Sequence, residues 1–125
     1  VTCENDFKHA EMAREYFNKS PHKHKIDLRM GPALNTLNSL TGTYDLIFID
    51  AEKTEYIGYY ENSLELLSEK GFIVVDNVLW GGRVLNPRSA SDRAIAAFNN
   101  YVQQDSRVRQ VLLPIRDGVM LIQKA

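Results

Sequence analysis

Apolar positions along the chain change period several times, and each change marks an element. Val1–Glu4 is a short apolar run closed by an acid, the pattern of a strand end. In Phe7–Lys19 the residues Phe7, Ala10, Ala13, Tyr16 and Phe17 recur at near-helical spacing, with Asp6 placed to cap. Lys25–Met30 alternates through Ile26, Leu28 and Met30, as a strand does. Gly31-Pro32 interrupts it, and Ala33, Leu34, Leu37 and Leu40 predict a short amphipathic helix closed near Gly42. Tyr44–Asp50 is almost continuously apolar, which predicts a strand buried on both faces. Thr54–Glu69 reads as a helix with Tyr56, Ile57, Tyr60, Leu64 and Leu67 on one side and Gly71 at its end. Phe72–Asp76 is a second buried strand. A loop rich in Gly, Pro and Arg runs from about Val78 to Ala90. Ser91 or Asp92 then caps a helix that runs to about Gln104, with Ala94, Ile95, Phe98 and Val102 inward. Arg107–Ile115 and Gly118–Lys124 read as two strands joined by "RDG", a hairpin signal.

Strands alternating with helices, then a terminal hairpin, predict an α/β domain around a mostly parallel sheet with an antiparallel C-terminal hairpin. The length of 125 residues suits a single domain. In such sheets ligands bind beyond the carboxyl ends of the strands. Glu4, Gly31, Asp50 and Asp76 occupy those ends.

Charge narrows the partners. Fifteen basic residues against sixteen acidic ones give no positive excess, which argues against nucleic acid. No apolar run approaches the roughly 20 residues of a membrane span. The single cysteine, Cys3, allows no internal disulfide and fits a reducing, cytoplasmic setting. The sequence opens on "VTCE", a strand already ending, with no initiator Met and no targeting pattern. It is expected to continue something upstream.

The strand-end acids carry the chemistry. Burying a carboxylate is costly without compensation, yet two core strands end on Asp50 and Asp76, and Asn77 follows the second. Two carboxylates and an amide carbonyl suit Mg²⁺, Mn²⁺ or Ca²⁺. Each acid alone also reads as a cap for the following turn. Lys53 lies three residues past Asp50, where a cation opposes the helix dipole. Partly desolvated, it suits a general base. A solvated surface lysine is the plainer alternative. Glu4 can accept from ribose hydroxyls, and Gly31 can admit a flat ring against bare backbone, though Gly-Pro is also ordinary turn chemistry. Trp80, followed by Gly81-Gly82, can pack on a planar substrate or plug the core. The "HKH" of His22–His24 has no acid partner nearby in sequence.

The segment "FIDAEKTEYIGYYENSLELLSEKGFIVVDNVLWGGRV" closely resembles the cation-dependent O-methyltransferases of the catechol and caffeoyl-coenzyme A type. "VTCENDFKHAEMAREYF", "KIDLRMGPALNTL" and "VRQVLLPIRDGVMLIQK" resemble the flanking stretches of that family. The pairing of FIDA-x-K-x-x-Y with DN-x-LW-x-G is the specific part. The resemblance implies a Rossmann-like methyltransferase sheet, S-adenosylmethionine as methyl donor and usually Mg²⁺ as ion. It places Asp50, Asp76 and Asn77 at metal-ligand positions and Lys53 at the base. Glu4 falls at the ribose-binding acid, Gly31 and Ala33 at the adenine turn, and Asp50 also near the donor's methionine part. Trp80 matches an aromatic position near the acceptor, a small aromatic with vicinal hydroxyls. Glu52 stands where many relatives carry Asp. Family members often pair, so a homodimer is an open expectation.

One departure is large. The family's glycine-rich loop after its first strand has no counterpart here, since the only glycine pair is Gly81-Gly82. The expected chain is therefore the carboxyl-terminal part of an enzyme, with the central first strand missing. As an isolated fragment it should bind the donor weakly, expose strand edges and associate. Two other readings remain. One is a phosphoacceptor receiver domain, which lacks its late Lys-Pro here. The other is a non-catalytic remnant of the methyltransferase fold, against which the intact Asp50, Lys53, Asp76 and Asn77 set counts.

Overall fold

The computed structural model describes residues 1–125, which fall into two units, Val1–Leu40 and Thr41–Ala125. In the first, strand β1 (Thr2–Glu4) pairs in parallel with β2 (Leu28–Met30), with Glu4 opposite Met30. Helix α1 (Phe7–Lys19) has the predicted limits, and the Asp6 carboxylate accepts from His9 N at 3.0 Å, as a cap should. Of its predicted apolar stripe only Ala10 is fully buried; Phe7 and Tyr16 are exposed. The alternation expected from Lys25 is a helical turn at Lys23–Lys25 followed by the shorter β2. Helix α2 (Ala33–Ser39) starts directly after Pro32.

The second unit holds β3 (Tyr44–Ile49), α3 (Tyr56–Leu66), β4 (Leu67–Asp76), α4 (Ala90–Gln104), β5 (Val108–Leu113) and β6 (Val119–Lys124). The strand order is β3-β4-β6-β5. β3 and β4 run parallel, and β6 and β5 add the antiparallel hairpin. Ile49, Ile73, Val75, Met120 and Ile122 are buried on one face of this sheet. Tyr56 and Tyr60 of α3 and Ile95, Phe98 and Val102 of α4 are buried too. Tyr56 and Tyr60 both meet the Phe98 ring edge-on, at 5.5 and 6.1 Å between centroids. Each fully buried side chain of this size stabilises the fold by roughly 1.5–3 kcal/mol.

Three expectations are corrected here. β3 is covered on one face only: Leu46 and Phe48 are 65% and 62% exposed, on an edge strand. Phe72 and Val111 of the same sheet are exposed as well. The helix expected to reach Glu69 ends at Leu66, because Leu67 pairs with Tyr44 and opens β4. Gly71 is thus not a helix end. It lies where the register shifts, and a Cβ there would stand 3.0 Å from the Tyr44 carbonyl oxygen. Finally, α4 is capped by Ser89 rather than Ser91 or Asp92. Asp92 is the reciprocal partner in a capping box. No helix is long and apolar enough to cross a membrane.

Candidate active site

Ile49 and Val75 are the last paired residues of the parallel pair β3–β4. Asp50 and Asp76 follow them on adjacent strands, so strand pairing alone sets the two acids at one edge. Asn77 then reverses the chain with φ 61°, a left-handed conformation that Asn tolerates better than most residues. Its backbone N–H donates to the Asp76 carboxylate at 2.7 Å.

Lys53 sits on the helical turn Lys53–Glu55 that leads into α3. Its Nζ donates to Asp50 Oδ1 at 2.9 Å, to Asn77 Oδ1 at 3.2 Å and to the Tyr56 hydroxyl at 2.7 Å. All three protons of the ammonium are therefore placed. The Lys53 side chain is only 12% exposed, whereas that of Asp50 is 46% exposed. Burial works against the ammonium form, but hydrogen bonds to Tyr56 and Asp50 outweigh it and raise the pKa above the ordinary lysine value. The surface-lysine alternative is removed by this geometry.

Tyr56 is 1% exposed and passes the contact on: its hydroxyl donates to the Asp76 carbonyl oxygen at 3.1 Å. Burial raises its pKa, and the Lys53 hydrogen bond partly offsets the rise. The sequence reading placed Tyr56 on an apolar helix face and missed this role. The available signal was the spacing, since residues three apart meet on a helical turn.

Trp80 lies at the same edge, its ring centroid 5.5 Å from Lys53 Nζ. It is half-buried rather than a core plug. Its indole N–H donates to Asp92 Oδ1 at 3.0 Å, and the Arg83 guanidinium lies 4.6 Å from its ring centroid. Neither Arg83 nor Asp92 was singled out as a site residue from sequence. The loop carrying Trp80 and Arg83 is braced by the β5–β6 turn. Val78 N and Leu79 N donate to the carbonyls of Gly118 and Asp117 at 3.2 and 2.9 Å. An open groove of about 370 Å³ is lined by Gly81, Gly82, Arg83, Asn86, Arg88 and Asp92.

In the first unit, Glu4 and Gly31 come together at the strand ends, where Gly31 N donates to the Glu4 carbonyl at 3.0 Å. Glu4 Oε1 accepts from Asn5 N and Asp6 N at 2.7 and 2.8 Å, which fixes the carboxylate. Gly31 has φ 111° with open space where a Cβ would sit, and Ala33 begins α2. No three His, Cys, Asp or Glu side chains cluster, and no hydrogen bond or ion pair joins the Asp76 carboxylate to Asp50 or Lys53; its Oδ1 accepts from Asn77 N instead.

The O-methyltransferase family model matches residues 1–125. The chain is 42% identical over 132 residues to "Probable caffeoyl-CoA O-methyltransferase 2" of Dictyostelium discoideum, covering 99% of this chain and 57% of that protein. It is 38% identical over 128 residues to the mouse (Mus musculus) "Catechol O-methyltransferase domain-containing protein 1", covering 97% and 49%. The SAH-bound crystal structure of the Podospora anserina methyltransferase PaMTH1 superposes with a TM-score of 0.93 at 35% identity, over 100% of this chain and 60% of that one. The chain thus spans about half the length of these curated relatives. The chain belongs to the O-methyltransferase family.

Proposed function

We propose that the protein is an S-adenosylmethionine-dependent O-methyltransferase that uses a divalent cation, Mg²⁺ first, and acts on a small aromatic with two adjacent hydroxyls. One observation carries this reading. Lys53 Nζ gathers the side-chain oxygens of Asp50 and Asn77, one past β3 and the other past β4, at 2.9 and 3.2 Å.

The donor set fits a hard cation, because carboxylate and amide oxygens are what Mg²⁺, Mn²⁺ and Ca²⁺ prefer. Two of the three candidate ligands already converge on a positive charge, the Lys53 ammonium. A divalent ion held by Asp50, Asp76 and Asn77 would supply Lewis acidity, lowering the pKa of an acceptor hydroxyl. S-adenosylmethionine would supply the methyl group as a sulfonium electrophile.

The chain's own residues then have separate tasks. Lys53 holds a proton at Nζ while Asp50 and Tyr56 accept from it. To act as the base, Lys53 must first release one of these protons to solvent, a loss that burial favours and that its bonds to Tyr56 and Asp50 oppose; the neutral amine then takes the proton of the acceptor hydroxyl. Tyr56 keeps the amine aimed at this edge throughout. Trp80 offers a flat face for an aromatic acceptor, and orientation of the reacting oxygen is a large part of the rate. In the first unit, Glu4 serves as acceptor for ribose hydroxyls, with Oε1 already fixed by its own backbone. Gly31 and Ala33 line the adenine.

The test is transfer of a labelled methyl group from S-adenosylmethionine to catechol by the full chain, with Mg²⁺ and with chelator. Product that disappears with chelator is expected. Equal product in chelator removes the cation from the reading, and no product from a chain that calorimetry shows to bind S-adenosylmethionine removes catechol as the acceptor.

A further inference from the structure

Trp80 is the only tryptophan of the chain, and its backbone is unusual. Its φ is 50°, in the left-handed region that bulky side chains avoid. Gly81 and Gly82 follow with φ of 60° and 77°. Such a permissive loop does not by itself hold a ring in one direction.

Asp92 does. It is 3% exposed, in the first turn of α4. Its two oxygens divide the work. Oδ2 accepts from Arg88 N and Ser89 N at 3.0 and 2.9 Å and serves the helix start. Oδ1 accepts from the indole N–H at 3.0 Å. Arg83 closes the cluster, its Nε 3.8 Å from Oδ1 and its guanidinium over the ring. Backbone hydrogen bonds from Ser89 hold the Asp92 carboxyl well below the usual carboxylate range, so it remains an acceptor only.

We propose that Asp92 is a positioning residue: through Oδ1 it fixes the Trp80 indole beside Lys53 as a rigid wall for the planar acceptor. The acceptor half of this inference rests on the function proposed above. A ring already fixed before binding lowers the ordering cost of association. The rival account is that Asp92 serves only to start α4.

Ser89→Ala separates the two. It removes the hydroxyl that accepts from Asp92 N at 3.1 Å, yet leaves the indole bond intact. The emission of the sole tryptophan and its quenching by acrylamide are read in the full chain. Asp92→Ala is expected to shift emission to the red and raise the quenching constant, while Ser89→Ala leaves both in place. Equal changes in the two variants, or none in Asp92→Ala, overturn the proposal. If Asp92→Ala does not fold, Asp92→Asn is read the same way: its one oxygen stays with the two backbone N–H donors of Arg88 and Ser89, and its NH2 then faces the indole N–H, donor against donor.

Kinetics with catechol, Mg²⁺ and S-adenosylmethionine complete the test. Asp92→Ala is expected to raise KM for catechol about tenfold, the scale of one charge-assisted hydrogen bond, with kcat nearly unchanged. In a Trp80→Phe background the same substitution should add nothing. An unchanged KM, or full additivity, overturns the acceptor role. A wild-type chain inert toward catechol removes the functional reading and the acceptor half together. The fluorescence comparison still decides whether Asp92 holds Trp80.

Discussion

Lys53 Nζ and Asn77 Oδ1 are 24 positions apart in sequence and 3.2 Å apart in space. This contact ties the turn after β3 to the turn after β4 and makes one site of two strand ends. Removing the amine while keeping the chain's bulk tests what it does. Lys53→Met is expected to lower kcat by at least about a hundredfold, the lower range for loss of a positioned base. Far-ultraviolet circular dichroism should be unchanged. Turnover within a few-fold of wild type would remove Lys53 from the chemistry.

Tyr56→Phe asks a narrower question. The ring packs against Phe98 at 5.5 Å and stays in the core. Only the hydroxyl between Lys53 Nζ and the Asp76 carbonyl is lost. Stability should fall by about 1 kcal/mol, the usual net worth of one hydrogen bond. Turnover should fall further than stability explains, because the amine loses its closest partner. A urea melt and a turnover assay on the same preparation check this. Loss of stability with unchanged turnover would make Tyr56 purely structural.

Much of this edge is legible in the sequence, and the reasons are local. Apolar runs that stop on Asp50 and Asp76 announce strand ends, and pairing of Ile49 with Val75 brings those ends together. Lys53 follows Asp50 closely enough for turn geometry to join them. The Tyr56 hydroxyl is hidden because an aromatic on a helix face reads as packing. The start of β4 at Leu67 is hidden because Leu64 and Leu67 continue the helical spacing, and only pairing with Tyr44 decides. Exposure of Leu46 and Phe48 is hidden because an apolar run reports affinity for a core, not what covers each face. The Asp92–Trp80 bond joins residues whose sequence signals point elsewhere: one reads as a cap and the other as a loop aromatic.

The β5–β6 turn should matter to the site although it carries no chemistry. Gly118 has φ 82°, and a Cβ there would lie 2.5 Å from Leu79 Cγ and 2.9 Å from Leu79 N. Gly118→Ala combines left-handed strain with a backbone clash and is expected to cost about 2–4 kcal/mol. Gly82, at φ 77°, has open space where a Cβ would sit. Gly82→Ala should cost only the strain, about 1 kcal/mol. Equal urea midpoints for the two variants would show that the turn does not brace the Val78–Leu79 segment.

Acid stability should depend in part on a cluster away from the site, around Arg107, alongside the depressed carboxyl of Asp92. Its guanidinium bonds the Asp105 carboxylate at 2.6 Å and Glu61 at 2.6 Å. Tyr60 and Tyr101 donate to the same two acids at 2.8 Å each. The Arg107 hydrogen bonds come first among the causes that hold Asp105 well below its ordinary value of 3.8 and Glu61 below 4.5. A carboxyl with a depressed folded-state pKa binds fewer protons folded than unfolded, so its stabilisation is fully present above the unfolded value. That stabilisation disappears as pH falls through the folded value. The urea midpoint should therefore stay level from neutrality to about pH 5 and drop below about pH 4. In Asp105→Asn the neutral-pH midpoint should be lower and the acid drop shallower. An acid drop of the same size in wild type and Asp105→Asn would assign the loss to other carboxylates.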